Sequence, residues 1–197
     1  DKNCCIRYVS GEEVTKEDAE RANVIIGNVD PSLISGAKNL ELLQLNSAGA
    51  DLYIKAGVMP EGAVLANATG AYGLAVSEHM LGLTFDLIRR LNQYHANQAE
   101  HVWKAMGNII SVEGSTILVL GLGDIGGDYA RKVHALGAHV IGVRRTNRNK
   151  PDYLDEQHTM DDLDMLLGRA DIVAMVLPGG SATNHIMDER RLRLMKK

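Results

Sequence analysis

The sequence predicts an α/β protein built as two layered units in series. Short β-type runs alternate with helical patterns through the first quarter of the chain. The same rhythm restarts near residue 115, and a long helical pattern at 72–97 joins the two stretches. Strands separated by helices imply parallel pairing with helices layered on the sheet. The 197 residues exceed the usual size of one compact domain. Apolar residues make up 45% of the chain, but these include only one Trp, six Tyr and one Phe. The core must therefore rest on Val, Ile, Leu, Ala and Met.

Each element can be read in order. "CCIRYV" (4–9) is a short β-type run, and "TKEDAERA" (15–22) a polar helix with Thr15 as N-cap. "NVIIG" (23–27) reads as a buried strand, and "DPSLISGA" (30–37) as a short helix with Pro31 in its first turn. "LELLQL" (40–45) and "VLANATG" (64–70) supply two further strands, the second followed by a turn. In the long pattern, Leu74, Met80, Leu81, Leu83, Leu87, Ile88 and Leu91 follow helical spacing. A boundary near residue 73 gives units 1–73 and 74–197. Beyond it lie "STILVL" (115–120, strand), "DIGGDYARKVHALG" (124–137, helix) and "AHVIGV" (138–143, strand). "MDDLDMLLGRA" (160–170, helix), "DIVAMVLP" (171–178, strand) and "DERRLRLM" (188–195, helix) complete the second unit.

Several function classes are disfavoured. A net charge of −4 and a pI near 6.0 provide no basic field for nucleic acid. No apolar run reaches the length of a membrane span, and "DKNCCIRYVS" lacks the layout of a signal peptide. Cys4 and Cys5 are adjacent on an apolar run and read as ordinary buried thiols in a reducing, cytoplasmic setting. No His, Cys or carboxylate spacing suggests a metal site.

Chemistry enters at "LVLGLGDIGG", where Gly121, Gly123 and Gly126 have G-x-G-x-x-G spacing. The spacing alone is common. Here a run of β-formers precedes it, a helix follows, and a second strand closes a βαβ unit of about thirty residues. Gly121 would allow the tight turn, Gly123 the close approach of a pyrophosphate, and Gly126 close packing of helix on strand. The first-turn amides from Asp124 and Ile125 onward would face the phosphates. A tight turn without a ligand is the plain structural alternative.

In such a unit the end of the second strand chooses between NAD and NADP. An acid there accepts bonds from the ribose 2′-hydroxyl. This sequence instead has "VIGVRRT", with Arg144, Arg145 and Thr146 at that point. A guanidinium binds a 2′-phosphate through paired, charge-assisted bonds, whereas a carboxylate would repel it. NADP is the expected cofactor, with NAD as the alternative if the arginines are merely solvated loop residues.

The remaining blocks, in order, resemble the D-isomer-specific 2-hydroxyacid dehydrogenases over almost the whole chain. They are "LLQLNSAGADLY", "VLANATGAYGLAVSEHMLGLTFDLIRRL", Trp103 before "GSTILVLGLGDIG", and "ADIVAMVLPGGSATNHIMDERRLRLMKK". The arginine pair is similar to that of members acting as glyoxylate or hydroxypyruvate reductases with NADPH. Phosphoglycerate dehydrogenases are the other close type. The resemblance implies a Rossmann-type doubly wound cofactor unit and a flavodoxin-like substrate unit, both incomplete. It implies that the amides of Ala48 and Gly49 hold the substrate carboxylate and that Val76 lies near the nicotinamide. Leu177 and Pro178 would flank the cofactor, with Thr183 nearby. Val76 as plain core and Pro178 as a strand terminator are the competing readings.

One departure from the family matters. Its catalytic Arg, Glu and His come after "LMKK", so no catalytic residue is assigned here. The chain reads as an internal segment carrying the cofactor bed and part of the substrate cleft, without dehydrogenase activity of its own. The histidines offer no substitute. His79 beside Glu78 reads as packing or helix-start bonding, and the other six have no carboxylate at motif spacing. Asp124, Asp161 and Asp162 read as helix-start acids. The family pairs into dimers through the long helix and the arm after it, here 74–105, with Trp103 as an anchor. The rival class is a nucleotide-sensing binding protein of the same fold, like the family's corepressors, but no added tail or groove motif favours it.

Overall fold

A computed structural model describes residues 4–146 and 149–196. The chain divides into two compact units, Asp1–Ala71 and Tyr72–Lys197.

In the first unit, α1 (Lys16–Arg21) opens on a capping box. The Thr15 hydroxyl accepts from the Asp18 amide at 3.2 Å, and the Asp18 carboxylate accepts from the Thr15 amide at 3.0 Å. Then come β1 (Val24–Ile26), α2 (Pro31–Ile34), β2 (Leu42–Gln44) and β3 (Val64–Ala66). Asp30 caps α2, accepting from the Ser32 amide at 2.8 Å. The strands form a parallel sheet in the order β1-β2-β3, with Ile25, Leu43 and Leu65 in one row. Ala19, Ile34, Leu40, Leu43, Leu45 and Tyr53 fill the core on that row's face.

Two expectations for this unit fail. Residues 4–9 form no strand, and Cys4 and Cys5 are exposed rather than buried. The run has β-type composition, but no strand pairs with it, and a strand exists only through its ladder. "NVIIG" is not buried on both faces either. Val24, Ile26 and Val64 lie on the side of the sheet away from the core and stay exposed.

The second unit contains α3 (Gly73–Ile88), α4 (Leu91–Ala99), β4 (Thr116–Leu120), α5 (Asp124–Ala135) and β5 (His139–Val143). It continues through β6 (Glu156–His158), a 3₁₀ turn (Met160–Asp162), α6 (Leu163–Leu167), β7 (Ile172–Met175) and α7 (Glu189–Leu192). The sheet is parallel, in the order β6-β5-β4-β7. Alternation along β4 and β5 sorts the core. Ile117, Val119 and Val140 pack with Tyr129, Ala130 and Val133 of α5. Leu118, Leu120, Ile141 and Val143 pack with Leu163, Leu166 and Leu167 of α6. Both faces are covered, which explains the continuous apolar runs.

The single helix expected over 72–97 is two helices. Arg90 takes left-handed backbone angles (φ 56°, ψ 36°) between α3 and α4. Its Nε donates to the Asn108 carbonyl at 3.0 Å, which ties the break to the segment that returns beneath it. Apolar spacing runs on through such a break and does not signal it. The packed face matches the expected one only in part: Met80, Leu81 and Ile88 do pack against the core. Leu74, Leu83, Leu87 and Leu91 are exposed, while Gly73, Ser77 and Thr84 are buried. Small residues let α3 approach α5 closely, and polar bonds lock the pair. Ser77 Oγ lies 2.6 Å from the Asp128 carboxylate, and Lys132 Nζ donates to Ser77 Oγ at 2.7 Å. Thr84 donates to the Met80 carbonyl at 2.8 Å, which leaves the buried Tyr129 hydroxyl to donate to Thr84 at 2.8 Å. Strand β6 was not expected, because "EQH" has no β-type composition. Pairing with β5 alone makes it a strand.

Among the described residues, six carboxylates are held below their ordinary range, and Asp128, Glu156 and Asp164 are lowered most. Hydrogen bonds from Lys132, Ser77 and Arg131 lower Asp128, and bonds from Arg169 and His139 lower Glu156. Arg190 and Arg191 bring Asp164 down to about 2. Each binds its proton less tightly folded than unfolded, so its stabilisation is complete above the unfolded-state value and is lost as pH falls. The urea midpoint is expected to be level above about pH 5 and to drop steadily toward about pH 2. Asp128→Asn should flatten part of that fall. A wild-type midpoint unchanged across the acid range would contradict these assignments.

Candidate nucleotide site

The glycine turn joins β4 to α5, so its shape follows from how closely that helix lies on that strand. Gly121 has φ +97°, a left-handed value that glycine adopts without strain. Its amide donates to the Val143 carbonyl at 2.9 Å, and a Cβ there would sit 2.6 Å from the Val176 carbonyl oxygen. A Cβ on Gly126 would overlap the carbonyl oxygen of Gly121. Both positions are closed to any larger residue by backbone atoms. Gly123 is different: its φ is −76°, and a Cβ would meet nothing within 4 Å. The middle glycine faces open space.

That space is lined by donors. Gly123 caps α5 without a side-chain bond, and the first backbone bond of the helix runs from the Gly127 amide to the Gly123 carbonyl at 2.8 Å. The amides of Asp124, Ile125 and Gly126 therefore have no acceptor within the helix. With the positive end of the α5 dipole, they suit a phosphate. The Asp124 carboxylate is exposed and lies against the Cα of Gly73, the first residue of α3. It thus sits at the start of two helices, one more than the sequence reading gave it.

Arg144 leaves β5 at its carboxyl end, half-buried, and its amide donates to the His158 carbonyl at 3.2 Å. Arg145 and Thr146 follow and are exposed. The turn and the arginines thus sit at the ends of adjacent parallel strands, where ligands bind in open parallel sheets. On the other side of β4, the loop after β7 encloses a depression of about 400 Å³ lined by Leu177, Pro178, Gly180, Thr183 and Ile186. Thr183 Oγ1 donates to the Pro178 carbonyl at 2.6 Å and holds the loop closed. Val76 is half-buried in the first turn of α3. A larger groove of about 650 Å³, lined by Met80, Ile88, Ile110, Tyr129 and Ile172, includes none of the glycine-turn residues.

In the first unit, Ala48 and Gly49 are exposed in the loop after β2. Asn67 Nδ2 donates to the Ala48 carbonyl at 2.7 Å and Ser47 Oγ to that of Gly49 at 2.8 Å. Among the described residues, no acceptor takes the amides of Ala48 and Gly49. The carbonyls are held and the donors remain available.

The histidines are less isolated than their spacing suggested. His158 Nε2 lies 3.1 Å from Glu156, and its Nδ1 lies 3.1 Å from Asp162. His139 Nε2 lies 2.8 Å from the same Glu156, which Arg169 also grips with two nitrogens. Pairing of β5 with β6 assembles this cluster from distant residues. Only the His158–Asp162 spacing of four could have hinted at it. His79 is exposed. Among the described residues, no group of three or more His, Cys, Asp or Glu side chains is arranged to hold a metal ion. No helix among them is long and apolar enough to cross a membrane.

Residues 81–197 match the family described as D-isomer specific 2-hydroxyacid dehydrogenase, NAD binding domain. The chain belongs to this family. It is 26% identical to D-3-phosphoglycerate dehydrogenase of Methanocaldococcus jannaschii, over 86% of this chain and 32% of that protein. It is also 26% identical to glyoxylate reductase of Thermofilum pendens, over 88% of this chain and 53% of that one. A D-isomer specific 2-hydroxyacid dehydrogenase family protein from Aeromonas salmonicida superposes with a TM-score of 0.80 at 27% identity. That match covers 92% of this chain and 58% of the other. The chain thus spans between about a third and three fifths of the length of these relatives. The second unit is accordingly an NAD(P)-binding domain with a parallel Rossmann-like sheet.

Two glycine variants separate the shape of the turn from its use. Gly126→Ala is expected to lower the melting temperature sharply, because backbone blocks the new methyl. Gly123→Ala should leave melting within a degree or two, yet weaken NAD(P)H binding about tenfold or more by filling the open space. Calorimetry and thermal melts on both proteins check this. Undiminished binding by a folded Gly123→Ala protein would count against the cradle.

Proposed function

We propose that this chain carries the nucleotide bed and part of the substrate unit of an NADP-preferring 2-hydroxyacid dehydrogenase. The substrate class is a small 2-keto or 2-hydroxy acid of the glyoxylate, hydroxypyruvate or 3-phosphoglycerate type. The observation that carries the cofactor preference is Arg144 at the end of β5, where an NAD-selective site needs an acid. The Arg144 fork pairs with a 2′-phosphate, and Arg145 and Thr146 add donors around it. The amides from Gly123 through Gly126 hold the pyrophosphate. Leu177 and Pro178 bound the cofactor on the β7 side, with Thr183 fixing their loop and Val76 facing the nicotinamide. When bound, the nicotinamide supplies the hydride exchanged with C2 of the acid. The free amides of Ala48 and Gly49 take the substrate carboxylate.

The units divide the work as substrate unit (1–73) and cofactor unit (74–197), in a cytoplasmic protein that does not bind nucleic acid or a membrane. Self-association through 74–105 is part of the proposal. Its support is the exposure of Leu74, Leu83, Leu87, Leu91, Val102 and Trp103, the last completely uncovered.

Calorimetry with NADPH and NADH on wild type and Arg144→Asp tests the reading. NADPH should bind wild type about tenfold or more tightly than NADH, and the substitution should reverse the order. Light scattering on the same samples should give a dimer mass. Tighter binding of NADH by wild type would overturn the NADP preference, and a monomer mass at micromolar concentration the dimer.

A further inference from the structure

In the first unit each parallel strand runs out into an asparagine. Asn28 stands two residues past β1, Asn46 two past β2 and Asn67 one past β3. Ile26 is in register with Gln44, and Gln44 with Ala66, so the three amides gather at one end of the sheet. This is the carboxyl end, where ligands bind in open parallel sheets. All three residues are exposed.

The asparagines frame the Ala48–Gly49 loop from both sides. Asn28 Oδ1 accepts from the Asn46 amide at 2.9 Å, which ties the end of β1 to the start of the loop. Asn67 Nδ2 donates to the Ala48 carbonyl, and the Ala68 amide donates to the Ser47 carbonyl at 3.0 Å, which ties the loop to the end of β3. The buried Tyr53 hydroxyl donates to the Val29 carbonyl at 2.8 Å and fixes the turn that follows the loop. With the loop carbonyls held, the amides of Ala48 and Gly49 stay open. Asn28 Nδ2 has no acceptor among the described residues, so a neutral donor remains at the rim.

Charge makes this frame selective. Segments 27–30, 46–51 and 67–71 hold no Lys, Arg or His, and their only charged side chains are Asp30 and Asp51. Both acids are exposed. A side-chain amide bonds a hydroxyl or carbonyl oxygen well, whereas a phosphate dianion is held by cationic donors. Nearby acids add repulsion. The first basic residue along the chain after the loop is Lys55, exposed and beyond the anchored Tyr53.

We infer that Asn28, Asn46 and Asn67 are specificity-determining residues: their neutral frame around the Ala48 and Gly49 amides admits 2-hydroxy or 2-keto acids with an uncharged remainder and disfavours those with a distal phosphate. This rests on the reading of that loop as the carboxylate site. It narrows the substrate class to the glyoxylate and hydroxypyruvate type.

The test is backbone amide NMR of the whole chain, titrated with D-glycerate and with 3-phospho-D-glycerate at constant ionic strength. The two probes differ only in the phosphate, which is a dianion at the working value of about pH 7.5. Dissociation constants are read from the Ala48 and Gly49 amide shifts. Wild type should bind glycerate at least about fivefold more tightly than the phosphorylated acid. Asn28→Arg should reverse that order by placing a guanidinium at the rim, while Lys55→Ala should keep the wild-type preference. Equal or tighter binding of 3-phosphoglycerate by wild type overturns the inference and leaves the carboxylate reading intact. A folded Asn28→Arg protein that keeps the wild-type preference does the same. If neither acid moves the Ala48 and Gly49 amides, the carboxylate reading itself fails and the inference falls with it.

Discussion

The nucleotide-binding unit depends on the contact between Gly126 of α5 and the carbonyl of Gly121 at the end of β4. No side-chain atom fits between them. With α5 lying this low on the sheet, Tyr129, Ala130 and Val133 reach Ile117, Val119 and Val140 to form one core. The same closeness aims the first turn of α5 at the strand ends and leaves Gly123 facing open space. Stability and binding geometry thus come from one steric constraint. Helix α3 then packs on the core with Met80, Leu81 and Ile88 and locks to α5 through the polar contacts Ser77–Asp128–Lys132 and Thr84–Tyr129.

What the sequence made legible follows from how local each signal is. Caps and turns were readable because their determinants sit within a few residues, as with Thr15 at the start of α1 and Pro31 in the first turn of α2. Central strands were readable because burial on both faces demands continuous apolar runs. The glycine turn was readable because each position answers a separate steric need. Features that depend on distant partners escaped. "CCIRYV" has strand composition but no partner strand, while "EQH" lacks that composition and becomes β6 by pairing with β5. The break at Arg90 leaves the apolar spacing intact, and its bond to Asn108 spans eighteen residues. The expected apolar stripe of α3 held only in part: Met80, Leu81 and Ile88 pack on the core, while Gly73, Ser77 and Thr84 fill the rest of the packed face and Leu74, Leu83 and Leu87 stay exposed.

The candidate site shows the same division. Gly121, Gly123, Gly126 and Arg144 could be found from spacing, because a βαβ unit puts them at fixed offsets. The Glu156–His158–Asp162–Arg169 cluster could not, because its members converge only when β6 docks as the edge strand. That edge is charged rather than apolar, which suits an outer strand exposed to solvent. The Arg144 amide donates to the His158 carbonyl, which links this sheet margin to the loop after β5.

The central claim is that the amides at the start of α5, together with the loop after β5, form one nucleotide site. Backbone amide NMR during NADPH titration tests it most directly. The account predicts that the largest shifts fall on Gly123, Asp124, Ile125 and Gly126, with a second group at Arg144–Thr146. Shifts confined to the apolar groove around Ile110, Tyr129 and Ile172, or no shifts at saturating nucleotide, would contradict it.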